Sequence, residues 1–224
     1  MRVRQQLVEA LDDLDTGLAS CDLPDSNRLL IQVFSGALLR NSIRDIQGAL
    51  ARLYPMAAVI GCTSNGVISG GQVHDGETIL FVFTEFEHVD LNVHLLTHTQ
   101  DNHFASGQAV ATKISTPSTK AIITFSDGLS TNGQDYLKGL NEICPRAVVS
   151  GGMAGDAGKL LETFVFDKAD ITNNGVVAVA LSSDRLQLQT HYCFDWTPMG
   201  RKMRITKADA NRVYEIDGAP AKDI

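Results

Sequence analysis

Two glycine-rich segments carry the groups best suited to chemistry, Gly61-Cys62-Thr63-Ser64-Asn65-Gly66 and Gly151-Gly152-Met153-Ala154-Gly155-Asp156. The backbone N–H groups of such a segment can converge on a carboxylate or phosphate, because a missing Cβ permits close approach and positive φ. Glycines also serve plain tight turns between strands. Two such segments in one chain favour a shared site, in which Gly61, Cys62, Thr63, Ser64 and Gly66 act with Gly151, Gly152, Gly155 and Asp156. Ser126-Asp127-Gly128 adds a hydroxyl and a carboxylate. Asp127 and Asp156 can each take a ligand ammonium or hydroxyl, although Asp beside Gly commonly makes an Asx turn or a helix cap. Neither segment is followed by Gly-Lys-Ser/Thr, so neither is a P-loop, and neither is a dinucleotide fingerprint.

Cys62 is the nucleophile or redox candidate, yet no base adjoins it in sequence, and a free cysteine is usually a small buried hydrophobe. Ser126, His191 and Asp156 supply the residue types of a catalytic triad without a Gly-x-Ser-x-Gly elbow. His88, His94 and His98 would share one face of an unbroken strand and could bind a metal; they are read instead as surface histidines. His191 stands in His191-Tyr192-Cys193-Phe194-Asp195-Trp196, beside the single tryptophan. A neutral imidazole among aromatics suits an axial ligand of haem b, and equally a strand histidine bonded to backbone.

These groups sit in a pattern that occurs twice. Pro55, Ala57, Val59 and Gly61 recur as Pro145, Ala147, Val149 and Gly151, at a constant offset of 90 residues. A Phe-Ser strand end precedes each copy, Phe34-Ser35 and Phe125-Ser126. Ile79–Phe83 matches Val176–Ala180, and His88–His94 is paired with Arg185–His191, at an offset of 97 residues. The reading is an α/β protein with mixed sheets and two homologous α-β-α-β-β-β halves, 1–100 and 101–200, joined near 100–105. The stretch 201–224 begins a further part.

Leu7, Leu11, Leu14 and Leu18 at helical spacing predict a helix over 3–19. Ile43, Ile46, Leu50 and Leu53 predict another, capped by Asn41 and stopped by Pro55. Ala121–Phe125 and Ala147–Val149 are apolar without alternation, as strands buried on both faces are. Strands are also expected at 57–61, 78–84, 89–97, 161–166, 174–182 and 185–194, and helices at 105–115 and 133–144.

The 224 residues can bury a sizeable core, and 44% hydrophobic with 20% charged residues is ordinary for a globular chain. A net charge of −7 without Lys/Arg clusters argues against nucleic acid. No apolar run is long enough for a membrane span, and the first residues lack the apolar stretch of a signal peptide. The four cysteines form no Cys-x-x-Cys, which leaves zinc ribbons and redox pairs unsupported and suits reduced thiols in the cytoplasm.

Ala58–Gly66, Ser126-Asp127-Gly128, Val148–Asp156 and Val213–Ala221, in that order, resemble the FIST domain, named for F-box and intracellular signal transduction proteins. The resemblance covers nearly the whole chain as the N-terminal part of that family; the last segment resembles the opening of its C-terminal part. It implies a cytoplasmic sensory module that binds a small, amino acid-like ligand and signals to a partner such as a histidine kinase or cyclase. It also implies, for a bacterial subset, haem binding and nitric oxide sensing. Three functions therefore stand: an amino acid-type sensor, a haem-based nitric oxide sensor, and a hydrolase using Cys62 or Ser126.

Overall fold

A computed structural model describes residues 1–191, 196–209 and 212–223. They fall into two compact units, 1–188 and 189–224. In chain order the first unit contains β1 (Arg2–Val8), α1 (Leu14–Ala19), β2 (Leu29–Ser35), α2 (Arg40–Leu53), β3 (Ala58–Thr63), β4 (Val67–Ser69), β5 (Gln72–His74) and β6 (Ile79–Glu85). It continues with β7 (Asp90–Thr97), α3 (His103–Ile114), β8 (Thr119–Ser126), α4 (Gly133–Ile143), β9 (Val148–Met153), β10 (Val165–Asp167), β11 (Ile171–Thr172) and β12 (Gly175–Ser182). The second unit holds a small antiparallel sheet of β13 (Ile205–Asp209), β14 (Arg212–Ile216) and β15 (Ala219–Pro220). Among the described residues no helix is long and apolar enough to cross a membrane.

Two sheets organise the first unit, ordered β1-β6-β2-β3-β10-β11 and β7-β12-β8-β9. Each is mixed: β2 and β3 are parallel, as are β8 and β9, and the other pairs are antiparallel. Alternate residues of the central strands serve different cores. Leu29, Ile31 and Val33 pack against the helix-side core with Ile43, Ile46 and Leu50. Leu30 and the half-buried Phe34 point into a core shared with Phe125, Val177 and Val179 of the other sheet. Val176, Ala178 and Ala180 turn outward to Val110, Tyr136 and Leu140. The layers are therefore helix, sheet, sheet, helix, and strands buried on both faces need apolar residues at every position.

The repeat is visible in this topology. β1-β6-β2-β3 and β7-β12-β8-β9 have the same order, and Ser35 and Ser126 stand opposite Ile79 and Val176. The topological counterpart of β7 is thus β1, and each copy opens on a strand rather than a helix. The helix expected over 3–19 is correspondingly a strand at Arg2–Val8, with helix only from Leu14. Seven ladder pairs with β6 outweigh the leucine spacing there. No strand forms at 185–191, because both flanks of β12 are already taken by β7 and β8; 192–195 lie outside the described residues. Asn41 lies inside α2, whose cap position is Leu39.

The two copies differ at the outer edge of their third strand. β3 is covered by β10, antiparallel, with Phe166 opposite Gly61. A Cβ on Gly61 would lie 2.3 Å from the Phe166 ring, so the glycine makes the seat for that ring. Among the described residues the corresponding edge of β9 pairs with nothing. Gly61→Ala should destabilise the fold by about 1–3 kcal/mol through overpacking. Phe166→Leu should relieve part of that loss in a double-mutant cycle of urea midpoints; strictly additive losses would remove Phe166 as the cause.

Candidate functional site

The C-terminal ends of β3 and β9 meet, and with them the two glycine-rich segments. Gly155 N–H donates to the Thr63 carbonyl at 2.9 Å, and Ala157 N–H donates to Asn65 Oδ1 at 2.8 Å. A Cβ on Gly155 would lie 2.3 Å from Asn65 Oδ1, so only glycine permits this approach. Ala154 N–H donates to the Ser126 carbonyl and Ser64 N–H to that of Ser35, both at 2.8 Å. The bonds from Gly155 and Ala157 join the copies to each other, and those from Ala154 and Ser64 close each segment onto its own copy. Ser64 Oγ donates to the Gly66 carbonyl at 2.5 Å within its own turn. Thr63 is buried, and its Oγ1 accepts from Phe164 N–H at 3.0 Å.

Both aspartates organise their own loops. Asp156 accepts N–H bonds from Leu160, Leu161 and Glu162 at 3.0, 2.7 and 3.3 Å, and these bonds, Leu161 first, hold its carboxyl below the usual range. They also secure a loop in which Ala157 and Leu160 take positive φ. Asp127 is fully buried; Oδ1 accepts from Leu129 N–H and Ser130 N–H, and Oδ2 from Gly175 N–H and the Thr131 hydroxyl. Burial works against its charge, but the bonds from Thr131 and Ser130 prevail and its pKa lies below the ordinary value.

Thr131 extends this carboxylate into a network that sequence reasoning missed. Its hydroxyl donates to Asp127, so its oxygen accepts from His98 Nε2 at 2.9 Å; in the neutral ring His98 Nδ1 then accepts from the Ser106 hydroxyl at 3.0 Å, in competition with the Asn102 carbonyl at 3.2 Å. This is the neutral Nε2–H tautomer. His98 is buried, not a surface histidine, and packs edge-on against the ring of His103 at 4.8 Å. Burial lowers its pKa, His103 adds to that, and Asp127 opposes it. His88 is exposed and precedes β7, so the three histidines do not share a strand face. The signal that would have exposed His98 is positional: it follows directly on β7, in the connection that the neighbouring helix must pack over.

Cys62 points into the core between the sheets, and burial pushes its thiol up to about 12. Cys21, Cys62 and Cys144 are free thiols. His191 and Trp196 are both exposed, Trp196 by 85%, in the second unit. A haem needs apolar walls on both faces of the ring, and two exposed side chains do not provide them; their neighbours Tyr192–Asp195 lie outside the described residues. These residues do not fit the group.

One cavity, of about 350 Å³, lies at the edge of the second sheet. Thr124 and Ser126 of β8 form its floor, the run Val149–Met153 of β9 one side, and Gly133, Tyr136 and Leu137 of α4 the other. It brings together Ser126, Gly151 and Gly152 from the expected site; Gly61, Cys62, Thr63, Ser64, Gly66, Asp127, Gly155 and Asp156 do not line it. The Tyr136 hydroxyl bonds to Thr124 Oγ1 at 2.8 Å, and Thr124 in turn donates to the Val177 carbonyl. Leu137 and Met153 are about half exposed, which is unusual for large apolar side chains facing each other across a groove. No charged side chain lines the cavity. Volume and lining are those of a small-molecule site. Leu137 was discoverable in the sequence only by setting α4 against α2, where the corresponding residue is polar.

A family model for the FIST N domain matches residues 29–219. The chain is also similar to an uncharacterized protein of Methanocaldococcus jannaschii, 22% identical over 204 residues. That alignment covers 86% of this chain and 39% of the relative, so the chain spans about two fifths of the length of the curated protein it matches.

Asp127→Asn should lower stability by about 2–3 kcal/mol, because the amide NH₂ cannot accept from Thr131 or Gly175. An unchanged denaturation midpoint would remove the loop's dependence on that carboxylate. For His98, the unfolded chain binds more protons between its ordinary value of about 6.5 and the lowered folded value. Its contribution is thus full above about 6.5 and is lost as pH falls through the folded pKa. His98→Gln should flatten the stability slope between pH 7.5 and 5, measured by urea unfolding; an equally steep slope would assign the effect to other groups.

Proposed function

The chain belongs to the FIST N domain family, a family of sensory domains in signal transduction, and from that premise we propose that it is the ligand-sensing part of a longer signalling protein. The cavity beside β9 binds a small amino acid-like ligand, in the cytoplasm, and a partner such as a histidine kinase or cyclase reads the result. The observation that carries this reading is the cavity itself: about 350 Å³, apolar on Leu137, Val149 and Met153, with Ser126, Ser150 and glycine backbone at hand for orientation. Its position also suits a sensor. β9 runs through Ala154 into Gly155, whose N–H bonds to the Thr63 carbonyl of the other copy, so a ligand that straightens or shifts β9 bears on the joint between the copies. A ligand changes output only by its differential affinity for two arrangements, and that joint is the element with two copies to rearrange.

The haem reading has no comparable support, since His191 and Trp196 are exposed. The hydrolase reading requires an activated nucleophile: Cys62 is buried with a raised pKa, and no histidine lines the cavity that holds Ser126.

A thermal-shift and calorimetric screen of the common amino acids tests the proposal. At a hundredfold excess over Kd a ligand adds about 2.7 kcal/mol, a rise of about 5–10 °C for a domain of this size. Leu137→Arg should abolish the shift while leaving the unliganded midpoint within about 1 °C, since the residue is exposed. If no amino acid or close analogue stabilises the protein, the cavity is not such a site.

A further inference from the structure

The first copy contains a worked example of what the second copy's cavity accepts. Gly61 stands opposite Val33 in the β2–β3 ladder, and Gly151 stands opposite Thr124 in the β8–β9 ladder, so the two glycines occupy one position of the repeat. Over Gly61 lies the Phe166 ring, brought there by β10 pairing antiparallel with β3. Beside Gly151 lies the cavity. The helices correspond as well: Leu50 and Leu140 accept the closing N–H bonds of α2 and α4, which aligns Gln47 with Leu137. Gln47 Nε2 donates to the carbonyls of Asp167 and Asp170 at 2.8 and 2.9 Å and so fastens the β10–β11 hairpin to the edge. Leu137 replaces that polar clamp with an exposed apolar side chain.

The backbone edge is equivalent too. In the first copy Ser64 N–H turns inward to Ser35, and Thr63 N–H turns outward to the Phe164 carbonyl at 2.9 Å. In the second copy Ala154 N–H turns inward to Ser126. In a parallel ladder both groups of a residue face the same neighbour, so Val149, Gly151 and Met153 turn theirs to the open edge. The cavity wall bears no ionised side chain. Such a wall complements neutral amide groups and leaves the two charges of a free amino acid without partners.

Resting on the reading that this cavity is the ligand site, we infer that its ligand is an aromatic residue in extended peptide form. The ring enters between Leu137 and Met153, as Phe166 enters over Gly61. The amide groups on either side pair antiparallel with the edge of β9, as in strand addition. A residue of a protein segment and a free amide both present this chemistry.

The test titrates the full chain with N-acetyl-phenylalaninamide, N-acetyl-leucinamide and free phenylalanine, followed by calorimetry and amide NMR shifts. The capped aromatic should bind about tenfold or more tighter than the other two, with shifts at Val149, Gly151 and Met153. Gly133→Leu should abolish this binding: a Cβ there lies 3.8 Å from Met153 Sδ, in free contact range, at the cavity mouth. Leu137→Gln, which copies the first half, serves as a second variant, and both are checked by thermal midpoint. Tighter binding of free phenylalanine, or of the capped leucine, overturns the inference and leaves the sensor reading intact. Binding of the capped aromatic that neither folded variant weakens places the ligand elsewhere and overturns it as well. Binding of no amino acid and no amide overturns both. A seven-residue extended peptide centred on phenylalanine separates the sources: a further gain of about tenfold supports a protein segment, and equal affinity supports a free amide.

Discussion

The fold depends on one apolar layer between two sheets. Leu30, Ile60 and Val165 of the first sheet meet Phe125, Val177 and Val179 of the second, while the opposite faces of the same strands hold the helices. With both faces covered, the only backbone left for polar contact lies at strand ends and sheet edges. That places Thr63 against Gly155 and Asn65 against Ala157, because the C-terminal ends of β3 and β9 emerge from the same layer. Gly155 at that joint lets the second copy's backbone approach Asn65 of the first. A shared anion cradle would need the N–H groups of Gly155 and Ala157 free, and the joint between the copies uses them.

The two copies share a topology but not the use of their outer edge. β10 and β11 come from the second copy and complete the sheet of the first, which ties the halves together by chain exchange as well as by the inter-sheet core. The second sheet receives no such cover among the described residues. One copy therefore serves the architecture, and the other retains an edge, a groove and an apolar rim. The buried Asp127–Thr131–His98–Ser106 network lies at the start of α3 and α4 and fixes the loop that begins α4. Its effect on the cavity is through the position of that helix, since none of the four residues lines it.

Local and periodic features were legible in the sequence. The apolar run Ala121–Phe125 gave away burial on both faces, and the Pro-Ala-Val-Gly offset marked β3 and β9 as equivalents; Ala147–Val149, read in the same way as Ala121–Phe125, is only half-buried, because β9 is an edge strand. The caps were not legible: Asn41 lies inside α2, while Asn132 and Asn102 cap α4 and α3 through bonds from the N–H groups of Asp135 and Ala105. Non-local pairing was not legible. Arg2–Val8 carries a leucine that suits a helix, and only β6 makes it a strand. His98 reads as a surface residue until α3 and the 127–131 loop close over it. Of the expected site, Ser126, Gly151 and Gly152 line the cavity; Asp127 and Asp156 hold their own loops, which is what Asp beside Gly most often does.

A cavity without charges has consequences for how it recognises and reports. Recognition must come from apolar area and from directed backbone bonds, so affinity should depend little on salt, unlike that of sites built on ion pairs. Backbone bonds to β9 act on a strand that is parallel to β8 and continuous with the segment bonded to Thr63. Gly151 has a φ of 150°, and a Cβ there would lie 1.7 Å from the Thr124 carbonyl oxygen, so β9 is bent tightly onto its neighbour at the cavity wall. A partner strand favours regular extended backbone on the strand it joins. The same residue thus meets two demands, the close approach to β8 and the pairing at the edge. On the proposed reading a bound ligand would change the balance between them, and the Gly155 bond to Thr63 would carry that change to the other copy.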